Sequence, residues 1–218
     1  MDVSRKQVGA MKLDVQLRYL NPWILLDVLF GRASLRWAMR SRKILSAAEI
    51  GVQQGINANT ILRRAKPQRM VAADPWDRYQ DELGLDGDAI EMIARRRLKR
   101  WGQVEFVKSG DRGVISSSLG REIDYLYIDA AHDYDNVLAD ITAYWPCVAT
   151  GGVLAGHDIC WPSVFKAVAD FASAHNLEVQ ASGTDWWIVN ARAKWDASRL
   201  WQNNKGINQC AQKTKSTL

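Results

Sequence analysis

The sequence has no apolar stretch long enough to cross a bilayer. Its best candidate, Pro22–Phe30 (PWILLDVLF), has about half the length of a membrane-spanning helix and contains Asp27. The opening residues, MDVSRKQVGAMKLD, lack the apolar segment of a signal peptide. Cysteine is scarce. Cys147, Cys160 and Cys210 form an odd set without C-x-x-C spacing, which argues against a zinc cluster and a disulfide framework and for reduced thiols in a cytoplasmic protein. Internal repeats and low-complexity tracts are also missing, as is the G-x-G-x-x-G dinucleotide fingerprint, since Gln53 stands where its second glycine would fall.

What remains is 218 residues with 47% hydrophobic content, enough for one substantial domain with a real core and too apolar for a disordered chain. The net charge of +5 is unevenly spread. Residues 1–44 carry nine Lys/Arg against three Asp/Glu, and residues 191–218 carry six against one. The intervening block, 45–190, has 14 basic and 20 acidic residues, a net of −6. A basic whole with an acidic middle argues against nucleic acid as the partner of the central domain. The Arg95–Arg100 run (RRRLKR) reads as the solvated face of its helix, because Ile93, Leu98 and Trp101 take the apolar positions.

The middle block alternates strand-like and helical patterns. Ile44–Ile50, Arg69–Asp74, Val104–Val107, Asp124–Asp129 and Val153–Ala155 read as five short buried strands. Helical spacing follows at Asn57–Ala65, at Asp88–Trp101, from Tyr134 to Trp145, and from Pro162 to Ala172. Leu177–Ala181 and Asp185–Val189 flank Ser182-Gly183-Thr184 as a closing hairpin, with Trp186 and Trp187 alternating on what reads as an edge strand. The pattern predicts an α/β three-layer sandwich, Rossmann-like, around a seven-stranded, mostly parallel sheet whose last strand is antiparallel. Residues 1–44 read as a helical extension around Leu20–Met39, a lid or a homodimerisation element, and residues 191–218 as a basic polar tail.

The residues with chemistry gather where this architecture binds ligands, at the carboxyl ends of its strands. They are Glu49-Ile50-Gly51, with Gly55 four residues on; Asp74, followed by Trp76; Ser109-Gly110-Asp111; Ile128-Asp129-Ala130-Ala131-His132-Asp133-Tyr134; and Gly151-Gly152-Val153-Leu154-Ala155-Gly156-His157-Asp158. Each has a plain structural alternative: Asp129 as a helix cap, His132 as a helix-terminal hydrogen-bonding group, His157 and Asp158 as loop braces.

Together these motifs resemble a class I S-adenosylmethionine-dependent methyltransferase, and most of all the small families with I-D-x-x-H-x-Y after strand four and a G-G strand ending in H-D. The resemblance spans residues 45–190. It implies S-adenosylmethionine as cofactor, with Glu49, Gly51 and Gly55 at its methionine portion, Asp74 and Trp76 at the ribose and nucleoside, and Gly110 and Asp111 beside the adenine. It further implies Asp129 and His132 as catalytic residues, Asp129 also bordering the cofactor and His132 acting as general base. By likeness to metal-dependent sugar and natural-product O-methyltransferases it implies Mg2+ at Asp129, Asp158 and His157; His157 stands where some relatives carry a carboxylate. Ala130 replaces the glycine usual in the motif.

The implied activity is O-methylation of a small-molecule acceptor, a sugar or a phenolic hydroxyl. The alternatives are an RNA-modifying methyltransferase that uses the basic flanks, and a nucleotide-binding protein without catalysis. The D/N-P-P-Y/F motif of amine-directed nucleic-acid methylases is absent, and nothing in the sequence calls for a membrane partner.

Overall fold

A computed structural model describes residues 30–77 and 86–191. Residues 20–29 of the expected Leu20–Met39 helix, and all of the tail beyond Ala191, lie outside the described residues. In chain order the elements are α1 (Ala33–Ser41), β1 (Ser46–Ile50), α2 (Ile56–Ala65), β2 (Arg69–Asp74), α3 (Gly87–Leu98), β3 (Val104–Lys108), α4 (Arg112–Leu119), β4 (Ile123–Ile128), α5 (Tyr134–Tyr144), β5 (Val148–Gly156), α6 (Pro162–Ala174), β6 (Val179–Ser182) and β7 (Asp185–Val189).

The seven strands form one sheet in the order β3-β2-β1-β4-β5-β7-β6. The pairs from β3 to β5 are parallel, and β7 is antiparallel to both β5 and β6. Both faces are covered, as a parallel sheet requires. Alternate residues of each strand serve opposite cores. Ala48, Ile50, Leu126 and Ile128 join Ile115, Ile141, Val164 and Phe171 beneath α4–α6. Ala47, Tyr125 and Tyr127 join Leu35, Ile61, Leu62, Ile90 and Leu98 beneath α1–α3. The expected three-layer architecture is thus observed.

Helix starts follow from side-chain caps. Asp86, Asp111 and Asp133 each accept a hydrogen bond from the backbone amide three residues on, opening α3, α4 and α5. Helix α4 escapes a periodicity reading because it buries only Ile115 and Leu119 in eight residues.

Two expectations are corrected. Strand β5 begins at Val148, not Val153, because the Gly151-Gly152 pair is absorbed as an irregularity in its pairing with β4 rather than forming a turn before the strand. Strand β7 is interior, between β5 and β6, so Trp186 and Trp187 are not edge aromatics: they are buried in opposite cores because both faces of the sheet are covered. Cys147 is a free, buried thiol. Among the described residues no helix is long and apolar enough to cross a membrane.

Candidate active site

Strands β1 and β4 lie side by side, and the chain winds outward from them in opposite directions, so the loops after β1, β2, β4 and β5 converge on one edge of the sheet. Gly51 permits the closest approach. Its φ is +86°, and a Cβ there would lie 2.0 Å from the Asp129 carbonyl oxygen. The loops after β1 and β4 therefore touch backbone to backbone.

One half of this edge is tightly knitted. Glu49 is only 2% exposed. Asn57 Nδ2 donates to its Oε1 at 3.0 Å, while Oε2 is buried without a hydrogen-bond partner. Burial pushes the Glu49 carboxyl up to about 8, against the opposing effect of Asn57, so the group is largely protonated at neutral pH. The buried Asp74 accepts the backbone amides of Gln53 and Trp76, both at 2.8 Å. The Trp76 indole donates to the Gln53 carbonyl at 2.9 Å and packs into the core beneath α1–α3, where it braces the two loops instead of facing outward. Gly55, at φ +73°, precedes α2. Gly110 lies against Pro75, and Asp111 spends its carboxylate on the cap of α4.

The other half is a cluster of charges. His132 Nε2 lies 2.7 Å from Asp158 Oδ2 and 4.0 Å from Asp129 Oδ1. His157 Nδ1 lies 3.1 Å from the same Asp158 oxygen and 3.9 Å from Asp129 Oδ1, and its Nε2 is 2.7 Å from Thr184 Oγ1. The Trp186 indole donates to the His157 carbonyl at 3.1 Å, fixing the loop from behind.

Burial raises the Asp158 carboxyl, but the hydrogen bonds and charges of the two imidazoles outweigh it and hold the group well below the usual carboxylate range. The hydrogen bond that His132 donates to Asp158 raises His132 above its ordinary 6.5. Asp129 is raised by burial, with His157 and Arg32 opposing. Asp129, His132 and Asp158 bring one ligand atom each to within 4.8 Å of one another, an arrangement with the dimensions of a cation site. The expected residues thus fall into two groups, Glu49, Gly51, Gly55, Asp74, Trp76, Gly110 and Asp111 around the first three strand ends, and Asp129, His132, His157 and Asp158 around the last two.

Arg32 is a site residue that the sequence motifs do not reveal. Its guanidinium lies 3.9 Å from Asp129 Oδ2 and 4.0 Å from Asp185 Oδ1. It is held there by the docking of α1. The buried Asp185 accepts from the Ser34 amide at 3.1 Å and the Ser34 hydroxyl at 2.8 Å, and from the Tyr127 hydroxyl at 2.9 Å. A carboxylate at the amino end of α1 satisfies orphan amides and suits the helix dipole. The only sequence signal for this was the basic character of residues 1–44, which does not single out one arginine.

A family described as a methyltransferase domain matches residues 48–159, slightly more than half of the chain. Protein R132 of Acanthamoeba polyphaga mimivirus is 26% identical over 138 residues, a match covering 58% of this chain and 60% of that protein. The solved structure of the O-methyltransferase NovP superimposes with a TM-score of 0.56 at 16% identity, covering 73% of this chain and 77% of NovP. The calicheamicin methyltransferase CalS11 gives 0.59 at 14% identity, covering 87% and 94%. The O-methyltransferase TomG of Streptomyces achromogenes, solved with S-adenosylmethionine, gives 0.52 at 16%, covering 71% and 77%. At these identities the structural likeness is one of fold.

Proposed function

The chain belongs to this methyltransferase-domain family, and from that premise we propose that it transfers a methyl group from S-adenosylmethionine to a hydroxyl of a small-molecule acceptor, with His132 as general base. The observation that carries the reading is the 2.7 Å contact between His132 and Asp158 beside Asp129, at the strand-end edge that Gly51 opens.

The residues present fit the cofactor. Glu49 Oε2 is a buried carboxyl oxygen without a partner beside the Gly51–Gly55 loop, a waiting acceptor for the cofactor's ammonium group. The backbone of Gly51 and Gly55 borders the methionine portion, Asp74 and Trp76 hold the loops that meet the ribose, and Gly110 and Asp111 border the adenine. The cofactor supplies an electrophilic methyl group on a sulfonium centre. Asp129 adds negative charge that favours this cation in the cleft.

His132 does the proton chemistry. With Nε2 turned to Asp158, Nδ1 is the nitrogen that takes the acceptor's proton as its oxygen attacks. Asp158 orients the ring and stabilises the imidazolium that forms. The remaining contribution is positioning, because the displacement needs no covalent enzyme intermediate.

The Mg2+ implied by the resemblance fits this donor set poorly. Asp129 and Asp158 offer oxygens, but His132 and His157 place imidazole nitrogens against them, whereas magnesium takes oxygen ligands and holds several waters.

The test is isothermal titration of the full chain with S-adenosylhomocysteine, followed by methyl transfer in the wild type and in His132→Gln. Saturable one-site binding and a fall in transfer of at least ~100-fold are expected. Absence of binding by the intact protein rejects the cofactor assignment, and unchanged transfer by His132→Gln rejects the base.

A further inference from the structure

The loop that carries Asp158 ends in an exposed tryptophan. Trp161 is 53% exposed, and one helical turn further on Phe165 is 47% exposed. The backbone fixes both positions: the Trp161 amide donates to the Asp158 carbonyl at 2.9 Å, and the Phe165 amide to the Trp161 carbonyl at 2.9 Å. The Trp161 ring centre lies 5.0 Å from that of His132, with the planes tilted by 33°. A large aromatic surface is thus left open to solvent immediately beside the proposed base, with a second exposed aromatic one helical turn further along the same helix.

We propose that Trp161, extended by Phe165, is the platform on which the acceptor lies, and that the acceptor is a planar aromatic carrying the hydroxyl to be methylated. This rests on the methyltransferase reading and specifies its acceptor.

Polar groups around the platform favour an aromatic over a sugar, because they are already paired. The Ser163 hydroxyl donates to the His132 carbonyl at 2.6 Å, Thr184 is engaged with His157 at 2.7 Å, and the Tyr134 hydroxyl donates to Asp170 at 2.8 Å. A sugar would bring several hydroxyls that find no free partner among these three side chains, a costly arrangement when they are desolvated. A phenol brings one or two hydroxyls and a flat face that stacks on indole.

The test uses the full chain loaded with S-adenosylhomocysteine and compares three probes: catechol; cyclohexane-1,2-diol, with the same two hydroxyls on a puckered ring; and methyl glucoside. Affinities are read by ligand-observed NMR titration for wild type, Trp161→Ala and Trp161→Phe. Wild type is expected to bind catechol about tenfold more tightly than the diol. Trp161→Ala loses that preference, Trp161→Phe keeps most of it, and all three bind S-adenosylhomocysteine equally. The proposal is overturned if wild type shows no preference for catechol, including no binding at all, if methyl glucoside binds as well, or if Trp161→Ala retains the preference. Failure of wild type to bind S-adenosylhomocysteine strikes the underlying methyltransferase reading instead, and is read separately in the same samples.

Discussion

The two halves of the strand-end edge are built on different principles. Around β1 to β3, the side chains with chemistry are tied to the protein's own backbone: Asp74 holds two amides, Asp111 caps a helix, and Trp76 bridges two loops. Around β4 and β5 the charged side chains face one another: both imidazoles contact Asp158 at 2.7 and 3.1 Å and stand 3.9–4.0 Å from Asp129, and Arg32 reaches in from α1, outside the β4–β5 loops. Under the proposed function the first half would hold the cofactor, the same molecule whatever the acceptor, and the second, a set of opposed charges beside an exposed tryptophan, would face the acceptor.

Gly51, where the halves meet, gives the largest expected effect. In Gly51→Ala the new Cβ collides with the Asp129 carbonyl and is strained at positive φ. We expect at least about 3 kcal/mol of destabilisation in thermal or urea unfolding, with loss of S-adenosylhomocysteine binding. A variant as stable as wild type would show that the loops do not depend on this contact.

Glu49→Gln sharpens the contrast from the rigid side. If Glu49 receives the cofactor's ammonium as proposed, removing its ionisable carboxyl is expected to weaken S-adenosylhomocysteine by about 10- to 100-fold. The pH dependence has a definite sign. With its carboxyl at about 8 in the fold against 4.5 ordinarily, Glu49 keeps its proton in the folded chain where the unfolded chain has lost it. Its contribution therefore weakens the fold as pH rises between those two values. Glu49→Gln removes that slope, as unfolding at pH 5 and pH 8 would reveal. Ligand binding at pH 7 should also release about one proton, seen as a buffer-dependent enthalpy.

Asp158→Asn acts on the other half. The ionised carboxylate favours the imidazolium of His132, so the substitution lowers the midpoint of His132 towards 6.5, observable in the imidazole proton resonances. His132 stabilises the fold fully below 6.5, and this contribution is lost as pH rises through its higher folded value; Asp158→Asn flattens that dependence. An unmoved midpoint would break the pairing. The smallest effect is expected from chelation: EDTA should leave both cofactor affinity and transfer unchanged, and a loss restored by Mg2+ would reverse the reading of the imidazoles.

Much of this layout is legible in the chain. Strand ends and their acidic residues declare themselves through short apolar runs that stop at Asp or Gly, and α3 and α5 through the helical spacing of their apolar residues. Helix α4 is hidden because two buried residues make no period. Arg32 is hidden for a deeper reason: its place depends on Ser34 meeting Asp185 across 151 residues, a tertiary fact with no local signature. The packing of Trp186 and Trp187 also follows from topology, since only the sheet order shows that β7 is covered on both faces.

The division of labour is tested most directly by titrating S-adenosylhomocysteine into wild type, Glu49→Gln and Asp158→Asn side by side. The account predicts tight one-site binding by wild type, marked weakening in Glu49→Gln, and affinity within about twofold of wild type in Asp158→Asn. Equal weakening in both variants, or none in Glu49→Gln, would contradict it.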